Sequence, residues 1–180
     1  MRRFTFLVAA AFVVVGSGIV FTDDGGSNFR LRLRGLDEVP VISTTGHGTF
    51  RAKINKDETA ISWELTYADL EGAVQQSHIH FGPPNNTGGI SIFLCSNLGN
   101  GPVGTQACPM PPLEGRVVGE SDATDVIGPL AQGIEPGALA EIIAAIKDGK
   151  AYVNVHSAKW PAGEIRKQFP SDGDDHGGHR

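Results

Sequence analysis

The sequence predicts an all-β fold, an antiparallel sandwich or barrel of about eight short strands interrupted by one short helix. Two observations carry this. Apolar and polar residues alternate with a period of two in several separate stretches, and turn-forming Gly, Pro and Asn punctuate the intervals between them. A third observation supplies the helix: only Glu135 to Asp148 places apolar residues (Leu139, Ile142, Ile143, Ile146) at helical spacing.

In chain order, Phe29 to Gly35 alternates strictly, with apolar residues at odd positions and Arg30, Arg32 and Arg34 at even ones. One face of such a strand is buried and the other wet, and the three arginines read as solvated surface. Leu36 to Val41 contains Pro40 and reads as an edge or bend, because proline cannot donate to a sheet ladder. Gly46-His47-Gly48 marks a turn. Thr49 to Asn55 and Thr59 to Tyr67 then form a hairpin about the loop Asn55-Lys56-Asp57-Glu58. In its return strand Ile61, Trp63, Leu65 and Tyr67 share one face, while Ser62, Glu64 and Thr66 face water. Gln76 to Gly82 is the next strand, followed by a Pro/Asn/Gly loop to Gly89 and the apolar run Ile90 to Leu94. Residues 95 to 112 form an irregular loop, and Leu113 to Glu120 is a further strand. Pro136 suits the first turn of the helix and Gly149 its end. Ala151 to His156 and Glu164 to Phe169 close the fold around a Trp160-Pro161-Ala162-Gly163 turn.

The ends differ from this body. Arg2 and Arg3 precede an apolar run from Phe4, followed by Gly16-Ser17-Gly18, so residues 1–22 read as a signal peptide or a retained N-terminal anchor. Residues 23–28 are a polar spacer, 29–169 the domain, and 170–180 an acidic, glycine-rich tail with His176 and His179 that is expected to be disordered. Either reading of the N-terminus makes the protein secreted or extracytoplasmic, with a membrane contact only through an uncleaved N-terminal segment. In that setting the pair Cys95 and Cys108 reads as a disulfide closing the loop between them.

Charge excludes some partners. Setting aside Arg2 and Arg3 leaves 13 basic against 20 acidic residues, a net charge of −7. Nucleic acid and anionic lipid both demand basic surface. No Gly-x-Ser-x-Gly elbow, phosphate loop or dinucleotide motif occurs, and Glu38, Asp57 and Glu64 are scattered without the logic of a carboxylate pair.

The chemistry concentrates in Ser77-His78-Ile79-His80-Phe81. On a strand, His78 and His80 lie on one face about 7 Å apart, within reach of a common metal ion.

These residues, with Leu33-Arg34-Gly35-Leu36-Asp37-Glu38-Val39-Pro40, Tyr152 to Ser157 and Gly163 to Gln168, resemble the CHRD (chordin) domain over residues 29 to 169. The Leu139 to Gly149 helix sits where that family has one. Two departures are visible: Lys167 stands where the closing motif usually has glycine, and His47 where a small residue is common. The resemblance implies an exported immunoglobulin-like β-sandwich. In animal chordin such domains belong to a secreted antagonist of bone morphogenetic proteins.

A fainter similarity bears on the site. His78-Ile79-His80-Phe81-Gly82 resembles the copper-ligand strand of copper,zinc superoxide dismutases, and Val153-Asn154-Val155-His156 their late copper-ligand strand. It implies His78, His80 and His156 as copper ligands in a superoxide dismutase-like sandwich. No histidine lies between His80 and His156, so the bridging ligand and the zinc site of that family are missing. Three imidazoles favour copper over zinc. His47 is a further ligand candidate, and Glu164, Arg166 and Asn154 are candidates for orienting the imidazoles. The expected function is an exported CHRD binding module that holds copper and handles metal or engages an extracellular protein. The alternatives are a mononuclear, dismutase-like copper redox enzyme and a purely structural envelope or matrix domain.

Overall fold

A computed structural model describes residues 25–110 and 114–171. The N-terminal segment 1–22 and the tail with His176 and His179 lie outside the described residues. No helix among the described residues is long and apolar enough to cross a membrane.

Eight strands follow the predicted order: β1 (Ser27–Arg34), β2 (His47–Ile54), β3 (Ile61–Ala68), β4 (Val74–Phe81), β5 (Gly89–Ser96), β6 (Glu114–Ser121), β7 (Ala151–Ser157) and β8 (Ile165–Gln168). All pairings are antiparallel, in one sheet of order β5-β4-β7-β8-β1-β2-β3-β6. The sheet consists of two four-stranded halves. They are joined through a single residue pair, Arg34 opposite Arg166, where β1 meets β8. The halves fold toward each other, which gives the predicted sandwich as a nearly closed single sheet. Edge strands β5 and β6 face each other across a cleft lined by Phe93 and Leu94 on one side and Gly119 to Ser121 on the other.

The loop between Cys95 and Cys108 bridges those edges. Gln106 accepts from the Ser96 amide of β5 through its carbonyl and donates its side-chain amide to Val118 O of β6. The predicted disulfide is present, with an S–S distance of 2.08 Å.

Period-two alternation buries Leu31, Leu33, Phe50, Ala52, Ile61, Trp63, Leu65 and Tyr67 between the halves. Phe50 anchors this core, stacked on Trp63 and meeting the Phe169 ring edge-on. Helix α1 (Leu139–Lys147) adds Leu139, Ile142, Ile143 and Ile146 to the same cluster.

Two boundaries differ from expectation. The helix is shorter than predicted, because Gly137 takes φ +87° and Pro136 therefore precedes the helix instead of opening it. Gly149 does end it, in the left-handed region at φ +65° with its amide on Ile146 O. His47 is the first residue of β2, not a turn residue, because it pairs with Arg34 and Ala68.

Candidate metal centre

Strands β4 and β7 run side by side with His78 opposite Asn154, His80 opposite Tyr152 and Gln76 opposite His156. Paired residues share a face, so His78, His80, Tyr152, Asn154 and His156 project together, joined by Arg166 of β8 opposite Asn154. The alternate residues Ile79, Val153, Val155 and Ile165 enter the apolar core.

The polar face is also buried. Three loops cover it, held by the residues beneath. Gly88 O accepts from His80 Nδ1 at 3.0 Å and Pro161 O accepts from His156 Nδ1 at 3.0 Å. The third cover is the segment containing Glu38, whose carboxylate lies against Gly163 and the Asn154 amide. Gly163, at φ +133°, leaves the room a Cβ would fill with that carboxylate.

These contacts fix the tautomers. A carbonyl only accepts, so His80 and His156 carry their protons on Nδ1 and present bare Nε2 atoms. His78 Nδ1 lies 3.2 Å from His156 Nε2. One ligand nitrogen from each of His78, His80 and His156 lies within 4.8 Å of the others. Because His156 Nε2 is bare, His78 Nδ1 donates to it, which leaves Nε2 as the bare nitrogen of His78. Nε2 of both His78 and His80 is buried without a hydrogen-bond partner. Unsatisfied buried nitrogens cost stability in the empty protein, and a metal ion relieves that cost. The donor set therefore fits a nitrogen-preferring ion.

Burial, reinforced by the two neighbouring imidazoles, pushes His78 down to about 2. Burial likewise lowers His80 to about 4, and lowers His156. All three stay neutral at physiological pH, the form that binds metal.

The other candidates fall differently. His47 is exposed at the edge of β2, with Nδ1 3.3 Å from Thr45 O and 3.8 Å from Asp69. It lies outside the cluster because β8 and β1 separate β2 from β7. Glu164 does not orient His156, whose Nδ1 is held by Pro161. It is fully buried and ties two loops together, accepting from Thr44 Oγ1 at 2.6 Å and the Glu71 amide at 2.7 Å. Arg166 does not touch His156 either. Its guanidinium lies 3.4 Å from the centroid of the Tyr152 ring, which stacks on His80 at 4.7 Å. Arg166 therefore steadies His80 through Tyr152. Asn154 sits beside both His80 and Glu38.

Sequence reasoning missed Glu38 and Tyr152. Burial raises Glu38 to about 7, against the opposing pull of the Val39 amide, Arg166 and Asn154. Tyr152 offered a signal, since it sits on the same strand face as His156. Glu38 offered none, because only the roofing loop brings it to the site.

An all-β domain with a buried three-histidine cluster is the class this fold and site define. The chain belongs to the CHRD domain family, which it matches over residues 29–169. No curated protein and no solved structure matches it.

Proposed function

We propose that this protein is an exported binding module that holds one copper ion through His78, His80 and His156, for metal handling or contact with another protein outside the cytoplasm. The observation that carries this reading is the convergence of three neutral, buried imidazoles, two of which, His78 and His80, leave Nε2 without a hydrogen-bond partner. All three donors are imidazoles, which suit copper, and Cu(II) exceeds Zn(II) in affinity for such sites. Bound copper would supply an additional coordination position and one-electron chemistry. This chain's residues set the donors: Gly88 and Pro161 fix two tautomers, and Tyr152 with Arg166 holds the plane of His80. The roof over the histidines favours retention of the ion over rapid turnover at it. The disulfide supports the extracytoplasmic setting.

The test is metal analysis with EPR on protein purified without a polyhistidine tag. One copper per chain with nitrogen hyperfine splitting is expected, lost in His78→Ala and in His156→Ala. A deletion of residues 171–180 should leave the signal intact. Loss of copper on that deletion alone would move the site to the tail and refute this reading.

A further inference from the structure

The outer face of the other half of the sheet carries a concentration of cations that the net charge of the chain, −5, conceals. Arg30 of β1 lies directly opposite Arg51 of β2, and Arg32 is two residues along on the same face. All three are exposed. The nearest carboxylates are committed elsewhere. Glu64, opposite Arg51 on β3, is held by Arg116 at 2.6 and 3.1 Å, and Asp37 is held by Arg34 at 3.2 Å. Like charges directly opposite across an antiparallel pair destabilise it. Arg30 and Arg51 form such a pair, and among the described residues neither they nor Arg32 has a carboxylate partner.

The next row of the sheet turns this patch into a site. Arg32, Thr49, Thr66 and Arg116 stand opposite one another in succession across β1, β2, β3 and β6. Neighbouring strands are about 4.8 Å apart, so two guanidiniums flank a floor of two threonines about 14 Å wide. A trough of about 470 Å³ opens over that floor, with His47 at one end and Arg116 at its side. Arginine forks match carboxylate and sulfate oxygens, so Arg32 supplies the cationic lip and the threonine floor adds hydroxyl hydrogen bonds, while Arg116, held by Glu64, only borders the far side.

We propose that this face binds an acidic polysaccharide, a linear chain bearing repeated carboxylate or sulfate groups, along Arg30, Arg32 and Arg51 and across the Thr49–Thr66 floor. The chemistry of the face separates this occupant from other polyanions. Tyr67 lines the trough, but its ring is buried and its hydroxyl donates to Pro109 O, so the face offers no exposed ring on which single-stranded bases stack and no apolar anchor that inserts into a bilayer. An acidic body around a cationic trough also tolerates a narrow polymer better than a broad anionic plane. The inference is independent of the histidine site, which lies in the other half of the sheet.

The test measures binding of the purified chain to polygalacturonate and to dextran sulfate, with neutral dextran, phosphatidylserine vesicles and single-stranded DNA alongside. Binding to one or both acidic polysaccharides is expected, weakening as salt rises. The variant Arg30→Ser/Arg32→Ser/Arg51→Ser should lose at least tenfold in affinity. The control Lys56→Ser/Lys150→Ser/Lys159→Ser removes the same charge elsewhere and should stay within twofold of the parent. The arginine variant should also melt no lower than the parent, since it relieves a repulsive pair. Four results overturn the proposal: equal binding by the arginine variant, an equal loss in the lysine variant, equal binding of neutral dextran, or stronger binding of vesicles or DNA than of either polysaccharide.

Discussion

Acidification should unfold the metal-free protein, at a slope set by four buried groups of known sign. His78 is held at about 2 and His80 at about 4, chiefly by burial, against 6.5 for an ordinary imidazole. Between pH 6.5 and 4.5 the unfolded chain binds a proton at each that the folded chain refuses. Each therefore removes about 1.4 kcal/mol of stability for every pH unit lowered. Glu38 acts in the opposite direction. Its folded pKa, about 7, exceeds the ordinary 4.5, so over the same window the folded state binds the extra proton. Its stabilising contribution is present at low pH and is lost as pH rises toward 7. Glu38 thus offsets one histidine, leaving a net loss of about 1.4 kcal/mol per pH unit, or about 3 kcal/mol from pH 6.5 to 4.5. His156, also lowered by burial, adds to the loss. Against a total stability of about 5–15 kcal/mol this is a large fraction. Urea unfolding in EDTA at pH 7, 6.5, 5.5 and 4.5 measures the slope. Glu38→Gln should steepen it by about 1.4 kcal/mol per pH unit, and His80→Gln should flatten it by the same amount. A stability that stays level between pH 6.5 and 4.5, or an unchanged slope in Glu38→Gln, refutes the assignment of these protonation states.

Three further outcomes are expected. Copper at a hundredfold excess over its dissociation constant should stabilise the parent by about 2.7 kcal/mol in thermal unfolding, and His78→Ala should abolish that gain. Replacing Cys95 and Cys108 with serine should cost about 3 kcal/mol in urea, since the bridge closes a loop with a sequence separation of 13. Gly119→Ala places a Cβ 2.5 Å from the buried Trp63 ring, an overpacking that should cost about 1–3 kcal/mol by the same assay.

Much of the fold was legible because period-two alternation is a local property. The run Ile61, Trp63, Leu65, Tyr67 names its buried face without reference to any other strand, and the structure buries all four. The helix was legible from Leu139 to Ile146, but its start was not, because the positive φ at Gly137 displaces it. The disulfide followed from two cysteines in a chain read as exported. Local pattern also placed His78 and His80 on one face.

What the sequence by itself determined, then, is the strand pattern, the single helix and the family, all of which depend on residues near one another in the chain. Only the tertiary structure decided what surrounds the histidines. The β4–β7 register brings His156 to His78, although 78 positions separate them. The roofing loops then bury a face that alternation alone would leave wet, choose the tautomers through Gly88 and Pro161, and carry Glu38 to Asn154. The strand order excluded His47, loop contacts gave Glu164 to Thr44 and Glu71, and the β1–β2 register set Arg30 against Arg51. Burial, tautomer and charge opposition depend on neighbours distant in sequence, and a linear pattern does not encode them.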